Sequence, residues 1–284
     1  MNPPESLHTC KSCGQLHDGF YCSRCGEKVL IPRERTLAFF FSQLFQAVTF
    51  AETKLWRSLK LILLSPGQYA CDFSEGRRVK LMQPINLFLL ANLIYFIFPI
   101  FDTFNTSLKT QMYDLPSAEI FHIEERVLEK SGLLGMSLEA FEREYNQLSS
   151  SNSKLLLIVL ILFFAVGFAI LNWKRRPLLW DHLNFALEYG IYQLVVNTIL
   201  FGYITYLIIT IASWFGTEWR LLNDLFLTAI VSVSILYFLV RGMNKYYRYS
   251  WMVATLFSIL TLFWSYGVLQ LYRWLLFEVT FVRL

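Results

Sequence analysis

Residues 155–173 read LLLIVLILFFAVGFAILNW, and Lys174-Arg175-Arg176 follow them directly. An α-helix needs about 20 apolar residues to cross the roughly 30 Å hydrocarbon core of a bilayer, and this run has that length. A charged side chain near the membrane centre costs roughly 2.5–3.5 kcal/mol, so a bilayer favours a run that stays uncharged until Lys174. The stretch therefore predicts a membrane-spanning helix that ends at a basic cluster.

The rest of the chain repeats this pattern. It is 55% hydrophobic and 16% charged, whereas about a quarter of the residues in a soluble domain are charged. The charges lie between long apolar runs instead of being spread over every element. These features predict an all-α polytopic membrane protein with about five transmembrane helices and further interfacial helices. The predicted spans are 83–101, 155–173, 190–214, 222–240 and 251–277.

One apolar stretch, 178–215, is too long for a single straight span. We divide it into an approach helix near 178–189, which enters the membrane, and a span near 190–214. The alternative is a re-entrant pair of helices that does not cross.

The order of polar and apolar segments predicts three regions. Residues 1–30 form a cytoplasmic four-cysteine zinc ribbon, residues 31–80 form juxtamembrane helices, and residues 81–284 form the transmembrane domain. Within the second region, the apolar runs 37–50 and 51–64 predict two helices. These helices either lie at the membrane surface or pack against the spans as ordinary amphipathic helices.

The basic residues predict the orientation of the spans. Under alternating topology, the clusters Arg77–Lys80, Lys174–Arg176 and Arg241–Arg248 all fall on one side of the membrane. The opposite side receives the acidic segment 102–153, whose apolar residues recur at three- and four-residue steps and predict one or two capping helices. We interpret this segment as a solvated loop in preference to a docking surface. The positive-inside rule makes the basic side cytoplasmic, so the N-terminus is predicted inside and the C-terminus outside a bacterial inner membrane.

Two CxxCG units, Cys10-Lys-Ser-Cys13-Gly and Cys22-Ser-Arg-Cys25-Gly, stand near the N-terminus. Two cysteines three residues apart let one tight turn present both thiolates to a single ion, and the glycine lets the backbone turn back. Two such turns supply the tetrahedral sulfur site that suits Zn²⁺. An iron centre and a redox dithiol are the alternatives.

Four thiolates leave no open coordination position, so the predicted Zn²⁺ is structural and not catalytic. A unit this small cannot bury enough apolar surface to fold alone, so folding and metal binding should be coupled. We expect His8 and His17 to be surface residues, and Cys71 to be an unmodified thiol, with acylation as its alternative. Other exposed side chains that could contact a partner are Lys11, Gln15, Asp18, Arg24 and Lys28.

A stripe of polar residues begins the stretch 178–215. Asp181, Asn184, Glu188 and Tyr192 follow at steps of three and four residues and so share one helical face, whereas His182 points elsewhere. Such a stripe can line an ion path, hold a proton or bind a polar substrate. We favour the simpler interpretation, an interfacial helix whose polar face meets water and head groups.

Several motifs together suggest a family. The N-terminal ribbon is followed by Ser65-Pro66-Gly67, by Glu75-Gly76-Arg77-Arg78-Val79, by Gln83-Pro84, and later by the segment DHLNFALE at 181–188. This arrangement resembles an uncharacterised family of bacterial, Bacteroidetes-type, multi-span membrane proteins with an N-terminal zinc ribbon, a domain of unknown function. Glu188 stands where that family is expected to have histidine. The resemblance implies architecture and bacterial origin, and it implies no activity.

Three hypotheses of function remain open at this point. The first is a non-enzymatic scaffold or adaptor whose zinc ribbon docks a cytoplasmic protein. The second is a small transporter or ion-conducting protein that uses Glu188, Asp181 and the asparagines of the spans, which are Asn86, Asn92 and Asn197. The third is a membrane enzyme acting on lipid or envelope precursors, with His182, Asp181 or Glu188 at the membrane interface, although no phosphate loop or catalytic motif is recognisable. A net charge of +4 does not indicate a nucleic-acid partner.

Overall fold

The computed structural model describes residues 8–26, 53–98, 104–214 and 224–284. The chain divides into two compact units, a small one (Met1–Thr53) and a large one (Lys54–Leu284). The interfacial helix predicted at 37–50 lies outside the described residues.

Residues 8–26 of the small unit form a β-hairpin followed by a second turn. Strand β1 (His8–Thr9) pairs antiparallel with β2 (Leu16–His17). The amide of Gly14 donates to the carbonyl of Cys10, and that of Gly26 donates to the carbonyl of Cys22, each at 2.9 Å. Both glycines have a positive φ, 75° and 74°, which a side chain would disfavour. The two CxxCG units therefore form equivalent turns, in which the glycine lets the chain double back.

In the large unit, the described residues form helices joined by turns and loops, and none of them forms a strand. Proline begins α3 and α5, while the side chains of Ser107 and Ser137 accept hydrogen bonds from first-turn amides of α4 and α7. The helices are α1 (53–64), α2 (Gln68–Ser74), α3 (Pro84–Ile97), α4 (Leu108–Tyr113), α5 (Pro116–Ile120), α6 (Ile123–Leu133), α7 (Leu138–Asn172), α8 (Leu179–Tyr192), α9 (Phe201–Trp214), α10 (Asp224–Tyr246) and α11 (Trp251–Arg283).

Four helices in the described ranges are long and apolar enough to cross a membrane. They are Leu138–Asn172, Leu179–Trp214, Phe226–Tyr246 and Trp251–Arg283. Each contains or overlaps one of the spans predicted from 155 onward, so the all-α membrane fold is confirmed. At 35 and 33 residues, α7 and α11 are about 50 Å long. Both are longer than the roughly 30 Å hydrocarbon core of a bilayer.

The first predicted span, 83–101, contains a shorter helix. Helix α3 has 14 residues, about 21 Å, and is too short to cross by itself. The chain nevertheless passes from one end of the unit to the other between Glu75 and Phe104. Arg248, just before α11, pairs with Glu75 at 3.4 Å, whereas the hydroxyl of Tyr272, about 30 Å along α11, donates to the carbonyl of Phe104 at 3.2 Å.

Leu179–Trp214 is one continuous helix, so the division of this stretch into an approach helix and a separate span is wrong. Helices α8 and α9 are joined without a break by the π-helical segment Gln193–Leu200. The wider turn of a π-helix absorbs extra residues while the chain keeps its direction. A long helix of this kind can therefore cross once, without the bend that its length suggested.

The acidic segment 102–153 is more ordered than a solvated loop. Helices α4, α5, α6 and the first half of α7 form a cap on the C-terminal end of α11. Ile123 and Val127 from α6 are buried with Phe141, Tyr145 and Phe277 in a separate apolar cluster. A bidentate ion pair, with Arg126 Nη1 and Nη2 at 2.6 and 2.8 Å from the carboxylate of Glu278, ties α6 to α11.

Candidate functional site

Four thiols of the small unit meet at one point. The Sγ atoms of Cys10, Cys13, Cys22 and Cys25 all lie within 4.8 Å of one another. The Cys10–Cys25 and Cys13–Cys22 sulfurs are 3.5 and 3.6 Å apart, and the thiols are free. A tetrahedral zinc ion with Zn–S bonds of about 2.3 Å places its sulfurs about 3.8 Å apart. The four side chains therefore fit a metal ion of this coordination.

Backbone amides prepare one of these thiols to bind a cation. The amide of Cys25 lowers the pKa of Cys22 to about 7, and the amide of Arg24 acts in the same direction. The thiolate is the form of cysteine that ligates metals, so a lowered pKa favours binding at neutral pH. The donor set is that of a structural metal centre, with no position left for substrate.

One histidine of the small unit, His17, is placed differently from the prediction, and the side chain of His8 lies outside what the structure describes. His17 is buried, at 6% exposure, instead of lying on the surface. It sits on β2, where strand alternation turns its side chain to the opposite face from the exposed Leu16. The described metal cluster contains only the four cysteines. The predicted exposure of Lys11, Gln15, Asp18 and Arg24 is confirmed, and Lys28 lies outside the described residues.

The polar stripe of α8 is buried among neighbouring helices. Asn184, Glu188 and Tyr192 are 1%, 0% and 5% exposed. The favoured interpretation, a polar face toward water and head groups, is therefore wrong. In place of water, the stripe meets α2 on one side and α10 on the other.

Glu188 holds the tip of a helical hairpin. Helices α1 and α2 form this hairpin, residues 53–74, with its turn at Ser65–Gly67. One carboxylate oxygen of Glu188 accepts from the amide of Gly67 and the other from the amide of Ala70, both at 2.8 Å. These amides belong to the start of α2 and have no partner within the helix. Because Glu188 lies about 14 Å along α8, the turn is inserted into the helical unit and anchored there.

The hairpin tip also touches the backbone of α10. Gly67 has φ 84°, and a Cβ there would lie 2.9 Å from the Cα and 3.0 Å from the carbonyl oxygen of Gly242. A Cβ on Gly242 would in turn lie 2.7 Å from the ring of Phe185. Two glycines thus allow backbone and ring to approach more closely than any side chain would permit.

Asn184 and Asp181 connect to the same two neighbouring helices. Asn184 Nδ2 donates to Ser74 Oγ at 3.4 Å, and that hydroxyl lies 2.9 Å from the hydroxyl of Tyr246. Tyr246 donates to the carbonyl of Asp181 at 2.8 Å. The Asp181 carboxylate lies 3.9 Å from Arg176. The polar groups of α8 therefore join the hairpin to α10. Hydrogen bonds of this kind hold helices together in membrane proteins.

The remaining members of the stripe are also bonded. Tyr192 lies 2.9 Å from Ser234 Oγ on α10. His182 points away from the stripe, as predicted, with Nδ1 2.8 Å from the hydroxyl of Tyr247 and Nε2 2.8 Å from the carbonyl of Arg176. Both ring nitrogens of His182 are therefore hydrogen-bonded within the helical unit.

The three basic clusters converge on one carboxylate. Arg77, Arg248 and Arg176 lie 2.8, 3.4 and 3.8 Å from Glu75. The hydrogen bond from the thiol of Cys71, at 3.2 Å, and the guanidinium of Arg77 hold the pKa of Glu75 below its ordinary value. The clusters therefore share one end of the unit, as the alternating topology requires.

Sequence reasoning found the stripe but missed what it binds. In the sequence, Ser65-Pro66-Gly67 contributes only to the family resemblance, and nothing there links it to Glu188 or Gly242. The one available signal was the Ser65-Pro66-Gly67 motif itself, a turn placed between two short amphipathic segments.

Residues 52–96 match the family described as "Protein of unknown function (DUF3667)". The match covers the hairpin and α3, including Gly67 and Ala70. No curated protein and no solved structure matches the chain. The similarity agrees with the resemblance drawn from the Ser65-Pro66-Gly67 and Gln83-Pro84 motifs, and it extends to no known activity.

Proposed function

We propose that this protein is a non-enzymatic membrane adaptor whose N-terminal module binds structural Zn²⁺ and docks a cytoplasmic protein. The single observation that supports the proposal most is the closed cluster of four thiols within 4.8 Å. A site with four sulfur donors stabilises a fold and offers no position for substrate. Because the metal site itself offers no position for substrate, the module would act on other molecules through its surface.

The exposed residues of the module suit a polar protein surface. Lys11 and Arg24 each lie inside a CxxC turn, and Asp18 follows the hairpin strand β2. A metal bound by the four cysteines would hold both turns rigid, so the backbone that carries Lys11 and Arg24 would lose little further conformational freedom on binding a partner.

The orientation of the protein is part of the same proposal. The basic end formed by Arg77, Arg176 and Arg248 faces the cytoplasm of a bacterial cell under the positive-inside rule. The cap formed by α4, α5, α6 and the first half of α7 then faces outward, together with the C-terminus. This placement puts the zinc module in the reducing compartment, where four free thiols are stable.

The contacts of Glu188 favour the adaptor over the transport hypothesis. Both oxygens of Glu188 already accept backbone hydrogen bonds, which favours an anchoring role over the transfer of an ion. Among the described residues, the hydrogen bonds of His182 to Tyr247 and to the carbonyl of Arg176 join parts of the helical unit and give the enzyme hypothesis no specific support.

The test is crosslinking in cells followed by affinity purification and mass spectrometry, at matched membrane abundance. It compares the native chain with Cys22→Ser, with the matched control Cys71→Ser, and with a Lys11→Glu, Arg24→Glu double variant. Zinc content is measured on each purified protein. We expect about one zinc per chain in all forms except Cys22→Ser.

The partner profile decides the proposal. A soluble protein captured by the native chain and Cys71→Ser, and lost in both Cys22→Ser and the charge-reversed variant, supports docking through the module surface. A profile that is the same for all four forms refutes the adaptor role. Absence of zinc in the native protein refutes the metal assignment.

A further inference from the structure

A cavity of about 270 Å³ lies within the helical unit and plays no part in the Glu188 site. Its walls come from α3, α7, α8, the π-helical segment, α10 and α11. Most of the lining is apolar, including Phe88, Leu157, Phe164 and Leu269. Its volume is close to the lower end of small-molecule sites, which begin at about 300 Å³.

The cavity has a polar side formed by the π-helical segment. Gln193, Asn197 and Thr198 of that segment line it, and Ser265 of α11 lies on its border. The side-chain Nδ2 of Asn197 donates a hydrogen bond to the side-chain Oε1 of Gln193. Polar groups inside a span are costly unless they bond to one another or to a ligand. π-Helical turns occur preferentially at functional sites.

An arginine completes the lining. Arg273 stands on α11, half-buried, and borders the cavity. Two other arginines in this region have partners, since Arg126 pairs with Glu278 and Arg283 donates to Asn152. Within residues 8–26, 53–98, 104–214 and 224–284, no carboxylate pairs with the guanidinium of Arg273. A half-buried guanidinium beside an apolar cavity is a favourable partner for an anionic head group, which it can bind through two parallel hydrogen bonds.

From the apolar walls, the polar segment and this arginine, we infer that the cavity binds an amphipathic carboxylate of the fatty-acid class. The carboxylate pairs with Arg273 near the outer end of α11, and the alkyl chain lies along Phe88, Leu157 and Phe164. The level of the arginine follows from its carbonyl, which accepts from Gln111 Nε2 of the outer cap at 2.9 Å. The head group therefore lies toward the outer surface and the chain toward the middle of the bundle.

The test is equilibrium binding of radiolabelled decanoate to the full-length protein in phosphatidylcholine nanodiscs, with empty nanodiscs as background. Unlabelled decanoate, decanol and acetate serve as competitors. We expect saturable binding that decanoate displaces at least about ten times better than decanol, because the alcohol cannot pair with a guanidinium. Acetate should not compete, because it has no chain to fill the apolar part.

Variants separate the head-group contact from the chain contact. Arg273→Gln should weaken decanoate binding by about tenfold or more, while Arg273→Lys retains part of it. The matched control Arg283→Gln, on the same helix and away from the cavity, should leave it unchanged. Ile235→Trp, which fills the cavity from α10, should abolish binding while the thermal transition remains.

The inference fails if decanoate uptake matches empty nanodiscs, if decanol competes as well as decanoate, or if acetate competes equally. It also fails if a folded Arg273→Gln variant binds as the native protein does. Should that variant not fold, the competition series on the native protein decides the question by itself.

Discussion

Replacing Gly67 with alanine tests whether the hairpin turn is held against α10. Gly67 has a φ of 84°, and a Cβ added to it would lie only 2.9 Å from the Cα of Gly242. Alanine there must either distort the turn or push the two backbones apart. Either response also moves the amides of Gly67 and Ala70 away from Glu188.

Two costs add at this position. A left-handed backbone conformation costs a residue with a side chain about 1–2 kcal/mol. Overpacking in a closely packed region costs about 1–3 kcal/mol more, and the contacted atoms here are backbone atoms that cannot rotate away. The free energy holding the hairpin in place should therefore fall by about 2–5 kcal/mol.

Labelling of Cys71 measures this change. The thiol lies on α2 and is 7% exposed, so a thiol reagent reaches it when the hairpin opens. Peptide mass spectrometry reads Cys71 separately from the four N-terminal cysteines in the full-length protein. A loss of 2 kcal/mol or more should raise its labelling rate by at least about 30-fold.

Gly76→Ala is the matched control. Gly76 also has a positive φ, 88°, but nothing lies within 4 Å of an added Cβ, so only the conformational cost applies. Equal labelling rates in the two variants would refute the claim that the close approach to Gly242 secures the hairpin.

Three other perturbations have defined outcomes. Glu188→Gln leaves one α2 amide without an acceptor, so we expect it to destabilise the folded state by about 1–3 kcal/mol while membrane insertion persists; an unchanged thermal transition in detergent would contradict the anchoring role. Arg126→Gln removes the bidentate ion pair with Glu278. The two side chains are 33% and 25% exposed, so the pair should contribute about 1 kcal/mol to stability. Limited proteolysis within 104–137 should then accelerate, and it should not in the exposed control Arg143→Gln. Chelation of zinc should speed amide exchange in residues 8–26, because their fold depends on the metal, and should leave exchange in 54–284 as it was; exchange that is unaffected in 8–26 would mean that the module folds without metal.

The sequence was sufficient for features that depend on local chemistry. Uncharged runs of span length predict membrane helices because the bilayer core excludes charge, and four long helices confirm them. The CxxCG spacing placed four thiols around one point because each tight turn sets the geometry of its own pair. The helical face shared by Asn184, Glu188 and Tyr192 followed from the 3.6-residue period alone.

What lies opposite that face was decided by the tertiary structure. Composition and periodicity show that Glu188 is polar and that Gly67 is flexible, but the two are 121 residues apart in the chain. Their contact exists because the hairpin enters the bundle and leaves helix-start amides without water, and a buried carboxylate satisfies them. The same reasoning applies to Arg273, because only the packing of α3, α7, α8, α10 and α11 places it at the border of an apolar cavity.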